Sequence, residues 1–112
     1  METPASAPFS VTVRASDGGS VVVALAGDFD MSGVEKFHSC IDELIDSSNG
    51  AELIVDLSDV TFIDSSGIAA MLEARRLVTR EHRELRFENL TAPASRLFEL
   101  AGLTDLFDDK AT

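Results

Sequence analysis

The sequence predicts an α/β fold, a small mixed β-sheet opened by an N-terminal hairpin and packed with three or more helices, in the order ββαβαβα. Three observations predict it. Two strand-like runs, "FSVTVRAS" and "VVVALAG", flank the turn "SDGGS". Helical and strand-like runs then alternate along the rest of the chain, which demands crossover connections and partly parallel pairing. The length, 112 residues, suffices for one hydrophobic core and not for two.

Each element has its own justification. "FSVTVRAS" alternates, placing Phe9, Val11 and Val13 on one face. The two glycines of "SDGGS" supply positive φ cheaply. "VVVALAG" reads as a more buried strand. In "DFDMSGVEKFHSCIDELIDSSNG", Val34, Phe37, Ile41, Leu44 and Ile45 fall at helical spacing. Ser32 and Glu35 there have the spacing of a capping box, and Asn49-Gly50 suits the helix end. "AELIVDL" is a near-continuous apolar run, as expected of a strand covered on both faces, and "SDVTFID" leads on into the second helix. That helix has Ile68, Met71, Leu72 and Val78 as its apolar face, with Ala69, Ala70 and Ala74 permitting close packing. "ELRFEN" alternates as a strand. "TAPASRLFELAGL" is the third helix, with Pro93 in its first turn, Leu97, Phe98 and Ala101 inward, and Gly102 and Leu103 closing its end. The expected domain covers residues 9–107, with tails at 1–8 and 108–112 that fray.

Twenty Asp and Glu face nine Lys and Arg, a net charge of −11, and the lysines are Lys36 and Lys110. Such a surface repels nucleic acid and anionic lipid and favours solubility. No apolar stretch approaches the ~20 residues of a membrane span. Cys40 is the single cysteine, so no internal disulfide can form, which suits a reducing compartment. "METPASAP" has neither the basic nor the apolar region of a signal peptide. The expectation is a cytoplasmic protein, monomeric when free, with no nucleic-acid or membrane partner.

Several chemistries can be weighed against plain structural roles. A hydrolase elbow needs Gly-x-Ser-x-Gly, whereas Ile63 stands two residues before Ser65 and Asp64 two before Ser66. The histidines, His38 and His82, sit on or near helices away from strand ends. "GDFDMSG" resembles the first motif of haloacid-dehalogenase-like phosphatases, in which Asp28 would be the nucleophile and Asp30 the acid/base. That chemistry needs Mg²⁺ and a cation on the phosphate, and neither lysine is well placed. A solvated acidic loop before a helix is the favoured alternative, each charge stabilising by about 0.3–1 kcal/mol. His38 and Cys40, two apart on a helix, splay and form no metal site, and Cys40 reads as a small, partly buried hydrophobe. No cofactor is expected. Arg75, Arg76, Arg80, Arg83 and Arg86 read as a solvated basic face near a helix end.

There remains "DSSG". Asp64 or Ser65 can cap the second helix, accepting from the free amides of its first turn. Those amides and the dipole would also tolerate a phosphate on a serine. Asp28, Asp30 and Asp64 are expected to gather there, because strand ends converge. A phosphate beside them would sharpen a negative surface that is costly to bury in an interface. The reading is a binary switch.

At these residues the sequence resembles the STAS domain of bacterial anti-sigma-factor antagonists. "LAGDFD", "IVDLSDVTFIDSSGIAAML" and "RLFELAGLTDLF" carry the resemblance, which spans roughly residues 9–107. It implies a non-catalytic protein that binds an anti-sigma factor with serine kinase activity and frees a sigma factor. It further implies phosphorylation of Ser65, which prevents binding, and reversal by a serine/threonine phosphatase. Asp30, Asp64, Ser66 and Gly67 would share the contact surface with Ser65. Two departures stand out: Gly33-Val34 replaces a usual Thr-Ala pair, and His82-Arg83 replaces a frequent Gly-Gly turn. The rival reading is a STAS docking subunit without phosphorylation, for example in a phospholipid-transport ABC system.

Overall fold

A computed structural model of the chain describes residues 8–47 and 50–100. The elements run β1 (Ser10–Ala15), β2 (Val21–Phe29), α1 (Met31–Ser47), β3 (Leu53–Ile63), α2 (Ser65–Arg80), β4 (Leu85–Glu88) and α3 (Ala92–Leu100). The order is the ββαβαβα expected. The sheet is β1-β2-β3-β4, with β1 antiparallel to β2 and the other two pairings parallel. A single 3₁₀ turn over Asp17–Gly19 closes the hairpin, with Gly18 and Gly19 at φ 86° and 90°, a region that costs glycine little.

The core lies between the helices and one face of the sheet. Val23, Leu25, Leu53, Val55, Leu57, Leu85 and Phe87 meet Phe37 and Ile41 of α1, Met71, Ala74 and Val78 of α2, and Phe98 of α3 in one cluster. Phe9 stacks on Phe29 at 4.8 Å, and Phe29 meets Phe37 edge-on at 5.2 Å. Alternation along the strands sends Val22 and Ile54 to the other face, outside that cluster. There they form a row Arg14–Val22–Ile54–Arg86 across all four strands. Arg86 pairs with Glu52 at 3.1 Å and Glu88 at 2.8 Å. The covering expected on both faces of β3 is therefore helical on one face only. On the other, Val22 and Ile54 are flanked by long polar side chains, whose stems shield apolar neighbours.

The structure refines some expectations and corrects others. Val11 and Val13 do share a face, opposite the buried Leu25 and Val23, yet Val13 is 46% exposed, because β1 is an edge strand with a sheet neighbour on one side only. "SDVTFID" leads into α2 as expected, and it is strand as far as Ile63, continuous with "AELIVDL". Its register against β2 shifts twice, between Ala24 and Ala26 and between Gly27 and Asp28. Each shift adds a residue to β3, so burial falls on Leu57, Val60 and Ile63 at intervals of three. Asp56 stabilises the first bulge by accepting from the Ser58 amide and from Asn89 Nδ2, both at 3.0 Å. On α2 the buried stripe is Gly67, Ile68, Ala70, Met71, Ala74 and Val78, and Leu72 and Ala69 are exposed. One residue beyond Met71 is ~100° round the helix, which turns Leu72 outward.

The basic residues after α2 do not form one solvated face. Arg83 donates to the carbonyls of Leu44 at 3.0 Å, Ile45 at 3.2 Å and Ala51 at 2.6 Å. It thereby satisfies the end of α1, where carbonyls otherwise lack partners, and ties that end to the start of β3. Gly50 has φ 81°, in the left-handed region expected there. The expectations for Asn49, the Leu97 side chain, Ala101, Gly102, Leu103 and the tails fall outside what the structure describes.

The chain leaves α2 by a Schellman turn. His82 N–H donates to Thr79 O at 2.9 Å and Arg83 N–H to Val78 O at 3.1 Å. His82 sits at φ 61°, in the position where a glycine is usual, and left-handed backbone costs an L-residue about 1–2 kcal/mol. His82→Gly is expected to raise stability by about 1 kcal/mol, read as a higher urea midpoint at unchanged m-value. A fall in the midpoint would show that the histidine side chain stabilises more than the backbone loses.

Candidate functional site

The site lies where β2 and β3 end side by side. Phe29 pairs with Ile63 as the last couple of the parallel ladder, and Asp64 N–H donates to Phe29 O at 3.4 Å. The next residues, Asp30 and Asp64, are therefore neighbours across the two strand ends, and each opens a helix. In an open α/β sheet this carboxyl edge is the usual place for ligands and partners.

Both aspartates cap. Asp64 Oδ1 accepts from Ser66 N at 2.9 Å and Gly67 N at 3.2 Å. Asp30 Oδ1 accepts from Ser32 N at 3.0 Å and from the Ser32 hydroxyl at 2.6 Å. The expected capping box, with Ser32 as cap, is corrected. Ser32 lies inside α1 and Asp30 performs the capping, because the helix starts two residues earlier, at Met31 rather than Gly33. The Ser32 hydroxyl, with its amide, holds the Asp30 carboxyl below the usual carboxylate range. Asp30 is therefore anionic at any physiological pH.

The two junctions share a pattern that reading along the sequence missed. Asp30-Met31-Ser32-Gly33 and Asp64-Ser65-Ser66-Gly67 are both Asp-x-Ser-Gly, and both fold as strand end, cap and first helical turn. The glycines have the same task. A Cβ on Gly67 would lie 2.5 Å from Phe29 O and 2.9 Å from Ile63 Cγ1. One on Gly33 would lie 2.8 Å from Phe9 Cγ and Cδ2. Gly33 thus admits the Phe9 ring over the start of α1, which accounts physically for the departure from Thr-Ala. By this correspondence Met31 is the α1 counterpart of Ser65, each the first residue of its helix.

Ser65 is exposed, Ser66 half-buried beneath the groove between α1 and α2, and Gly67 buried. Apolar side chains are exposed on the elements that meet at this edge: Met31 at the head of α1 is 71% exposed, Phe62 near the end of β3 50%, and Leu72, two turns further along α2, 38%. The sequence carried no signal for the exposure of Phe62, because it follows from the slip of β3 between Gly27 and Asp28, and a bulge is invisible in a period-two reading. Asp28 stands one step back on β2, where its carboxylate accepts from the Thr61 hydroxyl at 2.7 Å. Asp28 and Asp30 are thus each engaged by a neighbouring hydroxyl. Among the described residues no three His, Cys, Asp or Glu side chains converge as a metal site, and no helix is long and apolar enough to cross a membrane. Cys40 is half-buried, and burial, then Glu43, pushes its thiol up.

Fold and site together define a small α/β domain that displays an exposed serine, next to a capping aspartate, at the carboxyl edge of a mixed sheet. The family model described as "Mlab, STAS domain" matches residues 12–108, and the chain belongs to the STAS-domain family. It is similar to the anti-sigma-B factor antagonist of Bacillus subtilis (strain 168), 30% identical over 91 residues, covering 81% of this chain and 82% of that protein. In fold it resembles an anti-sigma factor antagonist from Mycobacterium paratuberculosis, with a TM-score of 0.76 at 23% identity, covering 89% of this chain and 83% of the other. It also resembles the Bacillus cell fate determinant SpoIIAA in its phosphorylated form, with a TM-score of 0.68 at 21% identity, covering 91% and 96%.

Proposed function

We propose that this protein is an anti-sigma-factor antagonist switched by phosphorylation of Ser65. Unphosphorylated, it binds an anti-sigma factor with serine kinase activity and so frees a sigma factor. Phosphorylated, it does not bind, until a serine/threonine phosphatase restores it. It works by binding, not by catalysis, in the cytoplasm.

The observation that carries this reading is the placing of Ser65. Ser65 is exposed at the head of α2, next in the chain to the capping Asp64, and Met31 at the head of α1 and Phe62 near the end of β3 are exposed apolar residues. An exposed hydroxyl reaches a kinase, a helix start accommodates the product, and apolar residues round it offer a surface to bind. The antagonist relatives and the fold shared with a protein solved in phosphorylated form support the same reading.

The test is phosphopeptide mapping of the protein from its host in growth and under stress. Phosphate on Ser65 whose occupancy changes between the two is expected, and Ser65→Ala should abolish it. Absence of phosphate in every condition would replace the switch by a constitutive docking subunit, with Asp64-Ser65-Ser66-Gly67 reduced to a helix cap.

A further inference from the structure

The sheet has two edges, and they are finished differently. β4 is four residues long, with Glu84 just before it and Arg86 and Glu88 within it. Where β3 runs on past it, α3 packs against β3. Short length, charge and a covering helix all keep an edge from pairing. β1 is longer and barer. Its six residues, Ser10–Ala15, keep one register against β2 without a shift. It holds no proline, no lysine and none of the 20 acidic residues of the chain, and Arg14 is its single charge. Among the described residues no strand lies on its outer side.

The backbone groups on that outer side can be assigned. Ser16 is extended, and its N–H donates to Ser20 O at 2.8 Å, continuing the register in which Ala15 faces Val21. Backbone groups alternate sides along a strand. Ser10, Thr12 and Arg14 therefore turn theirs toward β2, and Val11, Val13 and Ala15 turn theirs outward. The same Val13 has its side chain 46% exposed on the helical face, opposite the buried Val23. The open edge thus offers backbone donors and acceptors together with apolar side chains.

We propose that β1 is the seam of a homodimer. Two copies join β1 to β1, antiparallel about a two-fold axis at Thr12, and merge their four-stranded sheets into one. Three requirements select this axis. Outward backbone groups must face outward groups, which requires an axis through a residue rather than between two. Use of the whole strand requires an axis near its middle, at Thr12 or Val13. An axis at Val13 would make the two copies of Arg14 diagonal neighbours, roughly 7–8 Å apart. An axis at Thr12 sets Arg14 opposite Ser10 of the second copy, with the two arginines about 14 Å apart.

That axis also places the apolar residues well. Val11 faces Val13 of the second copy and Val13 faces Val11, both as hydrogen-bonded pairs, so four valines close over the seam on the helical face. On the other face the two copies of Thr12 meet as a close, non-hydrogen-bonded pair. The net charge of −11 opposes self-association over most of the surface, and an acid-free strand is where that repulsion is least. This inference goes beyond the phosphorylation switch and does not depend on it. The two-fold points the carboxyl edges of the two sheets in opposite directions. Ser65 follows β3, which is separated from β1 by β2, so the seam leaves both serines uncovered.

The test is sedimentation equilibrium of the purified full-length chain over a range of concentrations. The mass is expected to climb from one chain to two. Val13→Lys should raise the dissociation constant about tenfold, because it removes two cross-seam apolar pairs and makes the introduced ammonium groups diagonal neighbours. The register is read separately in a Cys40→Ala background. There Thr12→Cys should give a disulfide-linked dimer on mild oxidation, since facing Cβ atoms lie about 4.5–5.5 Å apart and closest in a non-hydrogen-bonded pair. Arg14→Cys should give none. Thr12 and Arg14 are both exposed, so this pair of variants decides alone if Val13→Lys unfolds the chain. A chain that stays monomeric throughout overturns the proposal, whether or not a disulfide can be forced at position 12. A dimer that a folded Val13→Lys leaves intact overturns it too, by placing the contact on another surface. Crosslinking at position 14 in preference to 12 overturns the assigned axis.

Discussion

Gly67→Ala is expected to lower stability by about 3 kcal/mol, at the upper end of what overpacking costs. The added methyl would meet Phe29 O at 2.5 Å and Ile63 Cγ1 at 2.9 Å. Neither can yield cheaply. Phe29 O is backbone at the end of a central strand and already accepts from Asp64 N–H, and Ile63 is the last residue of the parallel ladder. Relief requires α2 to lift from the sheet, which would pull Ile68 and Met71 from the core. The measurement is a pair of urea and thermal melts. Three kcal/mol corresponds to a fall of roughly 12 °C or more in Tm for a domain of this size. Ala69→Ser, exposed on the same helix, is the control and should stay within about 0.5 kcal/mol. A Gly67→Ala protein that melts with the wild type would mean that α2 does not sit as closely on β2 as described. It would also separate the glycine from the fold and leave it a role in recognition alone.

The same residues show what the sequence made legible. Alternation and helical spacing locate the strands and helices, because a one-sided core imposes those periods on Val23, Leu25, Leu53 and Val55, and on Phe37, Ile41, Met71 and Val78. They fail where the period is broken. The two bulges of β3 convert alternation into a spacing of three, so the burial of Leu57, Val60 and Ile63 does not show as a period of two in "SDVTFID". Leu72 looks like core because hydrophobicity does not say which way a helix is turned. Arg83 looks solvated because a sequence gives no hint that three carbonyls await it 32 and more residues away. At the site, the local chemistry was legible and the assembly was not. The Asp64 cap is a matter of four consecutive residues, Asp64 to Gly67. The pairing of Phe29 with Ile63, which brings Asp30 beside Asp64 and Met31 into the surround of Ser65, is a matter of register between segments 34 residues apart. The repeated Asp-x-Ser-Gly was present in the sequence all along. It becomes meaningful only once both copies are seen to start helices at the same edge.

Phosphorylation of Ser65 is expected to weaken partner binding about 100-fold while moving Tm by no more than about 4 °C. The two effects separate because the phosphate meets two different environments. In the free protein it stands at the first residue of α2, where helix amides and the dipole favour an anion by about 0.3–1 kcal/mol. Asp64 and the neighbouring Asp30 oppose it by a comparable amount, since all three groups face water and are screened. Stability is nearly unchanged. In the complex water is excluded, and a group carrying about −1.5 to −2 charge must be buried at an apolar surface holding Met31 and Phe62. Hundredfold is about 2.7 kcal/mol, a modest share of the cost of desolvating such an ion. Ser65→Asp brings one charge and a smaller shell of water, so about tenfold is expected, and Ser65→Ala should bind as the unmodified protein does. The check is titration of the purified partner with each form, beside melts of each form alone. A large fall in Tm on phosphorylation would mean that binding is lost through unfolding of the α2 start, not through the surface. Equal affinities for the phosphorylated and unmodified proteins would show that the partner does not cover Ser65, and the switch would have to lie elsewhere on the chain.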